Sequence, residues 1–225
     1  MSPERSDARL AAWLAFVAAF AALSYYGNLA DRSASAEEPL YSLGFFASSV
    51  VGFSIMVGVA LLVAVGADKR RLFALSAPRA WGRALWIAAA VLASVFVVSA
   101  LVGLVLDPGE EQGLLPESWP PPDAAVFALN GLAVVVGAPL AEELMFRGLG
   151  YSLLERFGGA VAIAGSSAAW ALAHGLIEAF PVIFVLGIGL GLLRRASRSI
   201  LPGMLLHGVF NAIALTAAAV SAASG

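Results

Sequence analysis

The chain has only two histidines, His174 and His207, and both lie in stretches apolar enough for a membrane interior. The same region holds Glu142, Glu143, Arg147 and Asn211. A charged side chain at mid-bilayer costs about 2.5–3.5 kcal/mol, so ionisable residues there are functional by default. A carboxylate and an imidazole beside a buried water pocket can act as general base and acid. An imidazole and an Asn amide can supply hydrogen bonds to a developing oxyanion. Such a set suits attack of water on a peptide carbonyl. No serine triad spacing is evident, and with no cysteine the chain has no thiolate nucleophile. Two histidines and a carboxylate could instead hold zinc with one position open. The His-Glu-x-x-His pattern of helical zinc proteases is absent, and chemistry with and without metal both remain open at this point.

The elements that must position these groups are helices. Pro139 suits the first turn of a helical segment, where its missing N–H costs nothing. Glu143 and Arg147 are then four apart on one face, in the favourable acid-before-base order. Glu142 points about 100° away around the helix, with no local partner. Gly158-Gly159 makes a turn. Glu142 lies sixteen positions before Gly158 and His174 sixteen after it, so an antiparallel hairpin brings the two to similar depth. A last helix begins near Leu201 and carries His207 about 10 Å inside. Asn211, four residues on, shares its face and can line the same pocket. Trp170, four before His174, reads as packing or ring support. The run Gly187-Ile188-Gly189-Leu190-Gly191 permits close helix contact; it follows no strand, as a phosphate loop would. Glu178, at a span end, reads as solvated.

The wider chain agrees with a membrane setting. Of its 225 residues, 60% are hydrophobic and 12% charged, against about 45–50% and about 25% in soluble domains. That balance excludes a soluble enzyme, a nucleic-acid binder and a disordered regulator, and a net charge of −2 offers no field for a polyanion. Runs of about 20 apolar residues cross the hydrocarbon core. They occur at 10–30, 43–67, 84–106, 159–177 and 201–222, with a shorter run at 179–193. Segment 124–157 reads as one long span interrupted at Gly137-Ala138-Pro139. The expectation is an all-α, polytopic transmembrane helix bundle of about seven spans. It forms a single integral membrane domain over 1–225, with its motif-bearing core at about 124–215. The first 30 residues, with Ala34-Ser35-Ala36 after them, could pass for a signal peptide, but the apolar run is too long and reads as an uncleaved span.

Lys and Arg in short loops set orientation. Arg5 and Arg9, the loop 68–83, Arg156, and Arg194, Arg195 and Arg198 fall together on one side. Loop 31–42 offers only Arg32. Loop 107–123 has no base but carries Asp107, Glu110, Glu111, Glu117 and Asp123. The N-terminus is therefore expected in the cytoplasm, the C-terminus outside, and the polar cluster in the cytoplasmic half or middle of the bilayer.

The motifs Glu142-Glu143-x-x-x-Arg147, Trp170-x-x-x-His174 and His207-x-x-x-Asn211 resemble the signature of the CPBP family. That family comprises CAAX-type intramembrane proteases, including type II CAAX prenyl endopeptidases, and bacteriocin-processing relatives. The family usually has Phe where this chain has Trp170. The resemblance implies an intramembrane endopeptidase acting on a peptide or protein substrate at the lipid bilayer. It implies that Glu142 activates water with help from His174, that Glu143 and Arg147 hold that glutamate and its helix, and that His207 and Asn211 stabilise the oxyanion. Both a glutamate mechanism and a metal-dependent one, with a divalent ion such as zinc, have been proposed for the family. The compact, Ala-rich chain points to a bacterial inner membrane, where prenylated substrates are not expected. Two other classes compete: a small proton- or solute-coupled transporter, disfavoured by the lack of repeat symmetry, and a non-catalytic scaffold that binds partner helices.

Overall fold

A computed structural model describes residues 3–31, 39–106, 111 and 121–224. Arg32, Asp107, Glu110, Glu117 and the stretch Ala34-Ser35-Ala36 lie outside the described residues. Among those described, every regular element is helical. We number seven helices: α1 Pro3–Asp31, α2 Leu43–Val63, α3 Trp81–Val102, α4 Ala124–Phe157, α5 Gly159–Ala173, α6 Phe180–Ser197 and α7 Leu201–Ser224. All but α5 are long and apolar enough to cross a membrane. At 1.5 Å per residue α5 reaches about 22 Å, short of the roughly 30 Å hydrocarbon core. The protein is a multi-pass membrane helix bundle.

Polar residues close the helix ends. Ser42 accepts the N–H groups of Gly44 and Phe45 at the start of α2, and Asp123 those of Ala125 and Val126 at the start of α4. The Glu111 carboxylate accepts the N–H groups of Ile177, Glu178 and Ala179 just ahead of α6, so the backbone at Glu178 is held in a cap. Fully buried Asn130 donates to the carbonyls of Leu40 and Ser42, tying α4 to the α1–α2 connection.

Helix α6 is the hub: it packs on α3 and α5 and also touches α4 and α7. Its glycines allow this. A methyl on Gly189 would strike Val91 of α3, and one on Gly191 would press on Ile163 of α5. Lipid is as apolar as the side chains, so close approach by small residues is what brings membrane helices together.

Some boundaries depart from expectation. Helix α5 stops at Ala173 rather than running to 177, because Gly175 takes a positive φ of 68°. His174 therefore ends the helix instead of lying within a span. A one-turn helix, Lys69–Leu72, sits in the basic loop, capped by Asp68. At Gly137-Ala138-Pro139 the long helix α4 continues, but its ladder widens to a π register over Ala133–Gly137 and again over Glu143–Gly150.

Candidate active site

The first π stretch explains the place of Asn211. Ala138 N–H reaches back five residues to the Ala133 carbonyl. In that register the Val134 carbonyl would be served by residue 139, which is proline and has no N–H. The Asn211 amide donates to the Val134 carbonyl instead, at 2.8 Å. Gly208 lies alongside, and a Cβ there would come within 2.8 Å of the Val135 carbonyl, so α7 can settle here only on a glycine. Asn211 thus spends a donor on the backbone of α4 and is not among the residues lining the pocket described below. The sequence placed it there with His207; the difference arises because an orphaned carbonyl is a stronger claim on an amide than an open cavity. π stretches of this kind recur at functional sites, and this one precedes Glu142 by five residues.

Glu143 and Arg147 are completely buried and joined at 3.1 Å. Arg147 also donates to the Gly187 carbonyl at 3.2 Å, and its guanidinium lies 4.3 Å over the Trp170 ring. The ion pair expected from the four-residue spacing is present, and it is tied to α5 and α6 as well. Breaking a buried pair of this kind strands a charge, at a cost of about 3–5 kcal/mol.

Glu142 finds its partner on another helix. The Trp170 indole N–H donates to Glu142 Oε2 at 2.5 Å. His207 Nε2 stands 3.9 Å from the same oxygen, and His207 Nδ1 lies 3.4 Å from Glu143 Oε1 without the alignment of a hydrogen bond. The Trp170 ring meets both imidazoles edge-on, with centroids 4.9 Å from His174 and 5.1 Å from His207. His174 Nδ1 is 2.8 Å from the Trp170 carbonyl. A carbonyl can only accept, so Nδ1 carries the hydrogen and the neutral ring presents its lone pair at Nε2.

Glu142 and His174 both line a pocket of about 430 Å³, walled by Phe20 and Ser24 of α1 and by Phe45, Ser48 and Ser49 of α2. No hydrogen bond or ion pair links the two directly; Trp170 bonds Glu142 and meets the His174 ring. His207, only 3% exposed, sits behind Glu142 and is not on the wall. Glu142, Glu143, Arg147 and His207 form one cluster, His174 joins it through Trp170, and Asn211 holds the backbone beside it. Trp170 is the residue that sequence reasoning undervalued. Its position four before His174 marked it as a ring, while the contact that matters spans 28 positions.

The pocket also has a direction. Ser24 is seven residues from the C-terminal end of α1, Phe45 two from the start of α2, and His174 ends α5. Arg5, Arg9, Arg70, Arg71, Arg194 and Arg195 line a different cavity at the other ends of these helices. The basic loops do share one end, as the loop charges suggested, and the pocket extends away from it.

Among the described residues, no three His, Cys, Asp or Glu side chains converge as metal ligands. Arg147 adds a fixed cation beside Glu143. This donor set does not make the three-ligand site that catalytic zinc takes.

Residues 124–213 match the family model described as type II CAAX prenyl endopeptidase Rce1-like. The match spans 90 of the 225 residues, covers the motif-bearing segment and agrees with the CPBP resemblance. No curated protein and no solved structure gives a significant match.

Proposed function

We propose that the protein is an intramembrane endopeptidase that hydrolyses a peptide bond of a membrane-associated substrate by a glutamate mechanism. The observation that carries this reading is the grouping of Glu142 and His174 on one pocket wall, with Trp170 between them. Water entering between the two meets a carboxylate oxygen and an imidazole lone pair. Glu142 takes its proton as the oxygen attacks the carbonyl carbon, and the tetrahedral intermediate then collapses as that proton passes to the leaving amine. His174 Nε2 orients the water. His207 Nε2, beside Glu142 Oε2 and behind the pocket wall, acts through Glu142 by holding its carboxylate in place. Asn211 acts through position: by holding α7 on the π stretch of α4 it keeps His207 against Glu142.

The N-terminus-in orientation that the arginines favour turns the pocket mouth toward the outer side, while Glu142 lies near the middle of α4; the sequence reading expected the cytoplasmic half or middle of the bilayer. The substrate is then a peptide presented from that side. Because the chain has no cysteine, single reporters are clean. In intact cells, Ser48→Cys should react with a membrane-impermeant maleimide while Ser76→Cys, at the arginine-lined end, should not. The opposite pattern would reverse the orientation.

The chemistry is tested by cleavage of a membrane-tethered peptide. Glu142→Gln and His174→Ala should each lower the rate by about 10² or more, as loss of a general base or its partner does. A wild-type rate in either would end the proposal. A transporter would instead give solute flux in proteoliposomes and no peptide product.

A further inference from the structure

The arginine-lined end of the bundle holds a second cavity, of about 1530 Å³, that peptide hydrolysis does not use. Eight arginines line it against two carboxylates, Asp68 and Glu155. Asp68 already accepts the Arg71 N–H as a helix cap. An excess of cations at one end of a membrane bundle follows from loop charge bias alone, so charge by itself marks orientation. Three further features mark a built site.

The first is Arg194, which is only 8% exposed yet borders the cavity. Its guanidinium lies 4.9 Å over the Tyr151 ring, one Nη is 3.4 Å from Ser152 Oγ, and its buried Nε has no partner. Among the described residues no carboxylate lies within 4 Å of Arg194, Arg195 or Arg198. The Glu155 carboxylate acts on Arg194 only from beyond that distance, and a buried cation with no counter-ion in contact is unfavourable. The second is the Tyr151 hydroxyl, also on the cavity and buried without a partner. The third is the start of α5. Gly158 offers no side-chain cap, so the N–H groups of Gly159, Ala160 and Val161 have no acceptor inside the helix. The Arg195 guanidinium lies against this turn, its carbon 3.1 Å from where a Gly159 Cβ would stand. A cation on the positive end of a helix is repulsive, unless an anion sits with them.

We propose that this basin binds a phosphoryl anion, held by Arg194, Arg195 and the first-turn amides of α5. Guanidinium forks and helix N-termini both match phosphate oxygens. The anion could belong to an anionic phospholipid headgroup of the adjacent leaflet or to a soluble phosphate; the experiment separates the two. The full-length protein is reconstituted in phosphatidylcholine nanodiscs at physiological salt. Its unfolding midpoint is followed while phosphatidylglycerol is raised in the bilayer or inorganic phosphate is added to the buffer. A saturable rise with phosphatidylglycerol alone assigns a headgroup site, and one with inorganic phosphate a soluble ligand; either supports the proposal. Arg195→Gln, at an exposed position, should weaken the response at least fivefold, and Arg79→Gln, also exposed, less than twofold. Glu142→Gln should respond as wild type does, so this result stands apart from the peptidase test. No response to either probe would overturn the proposal, as would equal weakening by Arg79→Gln, which would mean diffuse attraction.

Discussion

The first three helices and the last four meet the bilayer in opposite ways. In the most apolar 18-residue window of α1, α2 and α3 only 11% is buried, against 39% in α4 and 56% in α6. The first three spans, as read from sequence, carry no charged residue. The last four enclose Glu143, Arg147, Ser166, Ser167 and His207, all nearly or fully buried. Apolar surface gains little by leaving lipid, so α1–α3 have no reason to hide it. Polar groups have every reason to leave lipid, and the helices that bear them form the centre. The two regions meet at the pocket, where Ser24, Ser48 and Ser49 from the lipid-facing helices stand across from Glu142 and His174.

Changes to the buried polar set should therefore far outweigh changes to the outer helices. The largest effect is expected at Arg147. Arg147→Ala strands Glu143 without a charge partner and should destabilise the bundle by about 3–5 kcal/mol, read as a lower unfolding midpoint and poor accumulation in membranes. Normal stability would mean that the pair does not hold α4 to α5 and α6. A smaller and purely functional effect is expected at Trp170. Trp170→Phe keeps an aromatic ring beside both histidines and removes only the N–H that Glu142 accepts. Hydrogen bonds to charged groups contribute about 1.5–3 kcal/mol. A rate loss of about tenfold or more with the unfolding midpoint little changed is the expected outcome; an unchanged rate would reduce Trp170 to packing. At the other extreme stands Trp86 of α3, 80% exposed. Trp86→Leu should shift stability by no more than about 0.5 kcal/mol, the usual size for a surface change. A larger shift would show that the outer helices are more than a lipid-facing wall.

The contrast was legible in the sequence because it is a matter of composition along the chain. Apolar runs located the spans, and the clustering of Glu142, Glu143, Arg147, His174 and His207 in the later ones located the site. The Glu143–Arg147 pair followed from four-residue spacing alone. Details set by the backbone were not legible. No pattern of side chains announces that α4 widens its ladder before Pro139, so nothing pointed Asn211 toward the Val134 carbonyl. The end of α5 turns on the positive φ of Gly175, which a run of small apolar residues masks. The indole–carboxylate contact of Trp170 and Glu142 depends on how two helices face each other. Spacing within one helix cannot supply that.

The most direct test is single-turnover cleavage of a membrane-tethered peptide by wild-type protein and Glu142→Gln, in matched vesicles with a metal chelator present. The account predicts that wild type cleaves despite the chelator, and that Glu142→Gln is about 10² or more slower at an equal unfolding midpoint. Equal rates for the two proteins, or wild-type cleavage abolished by the chelator and restored by a divalent ion, would contradict it.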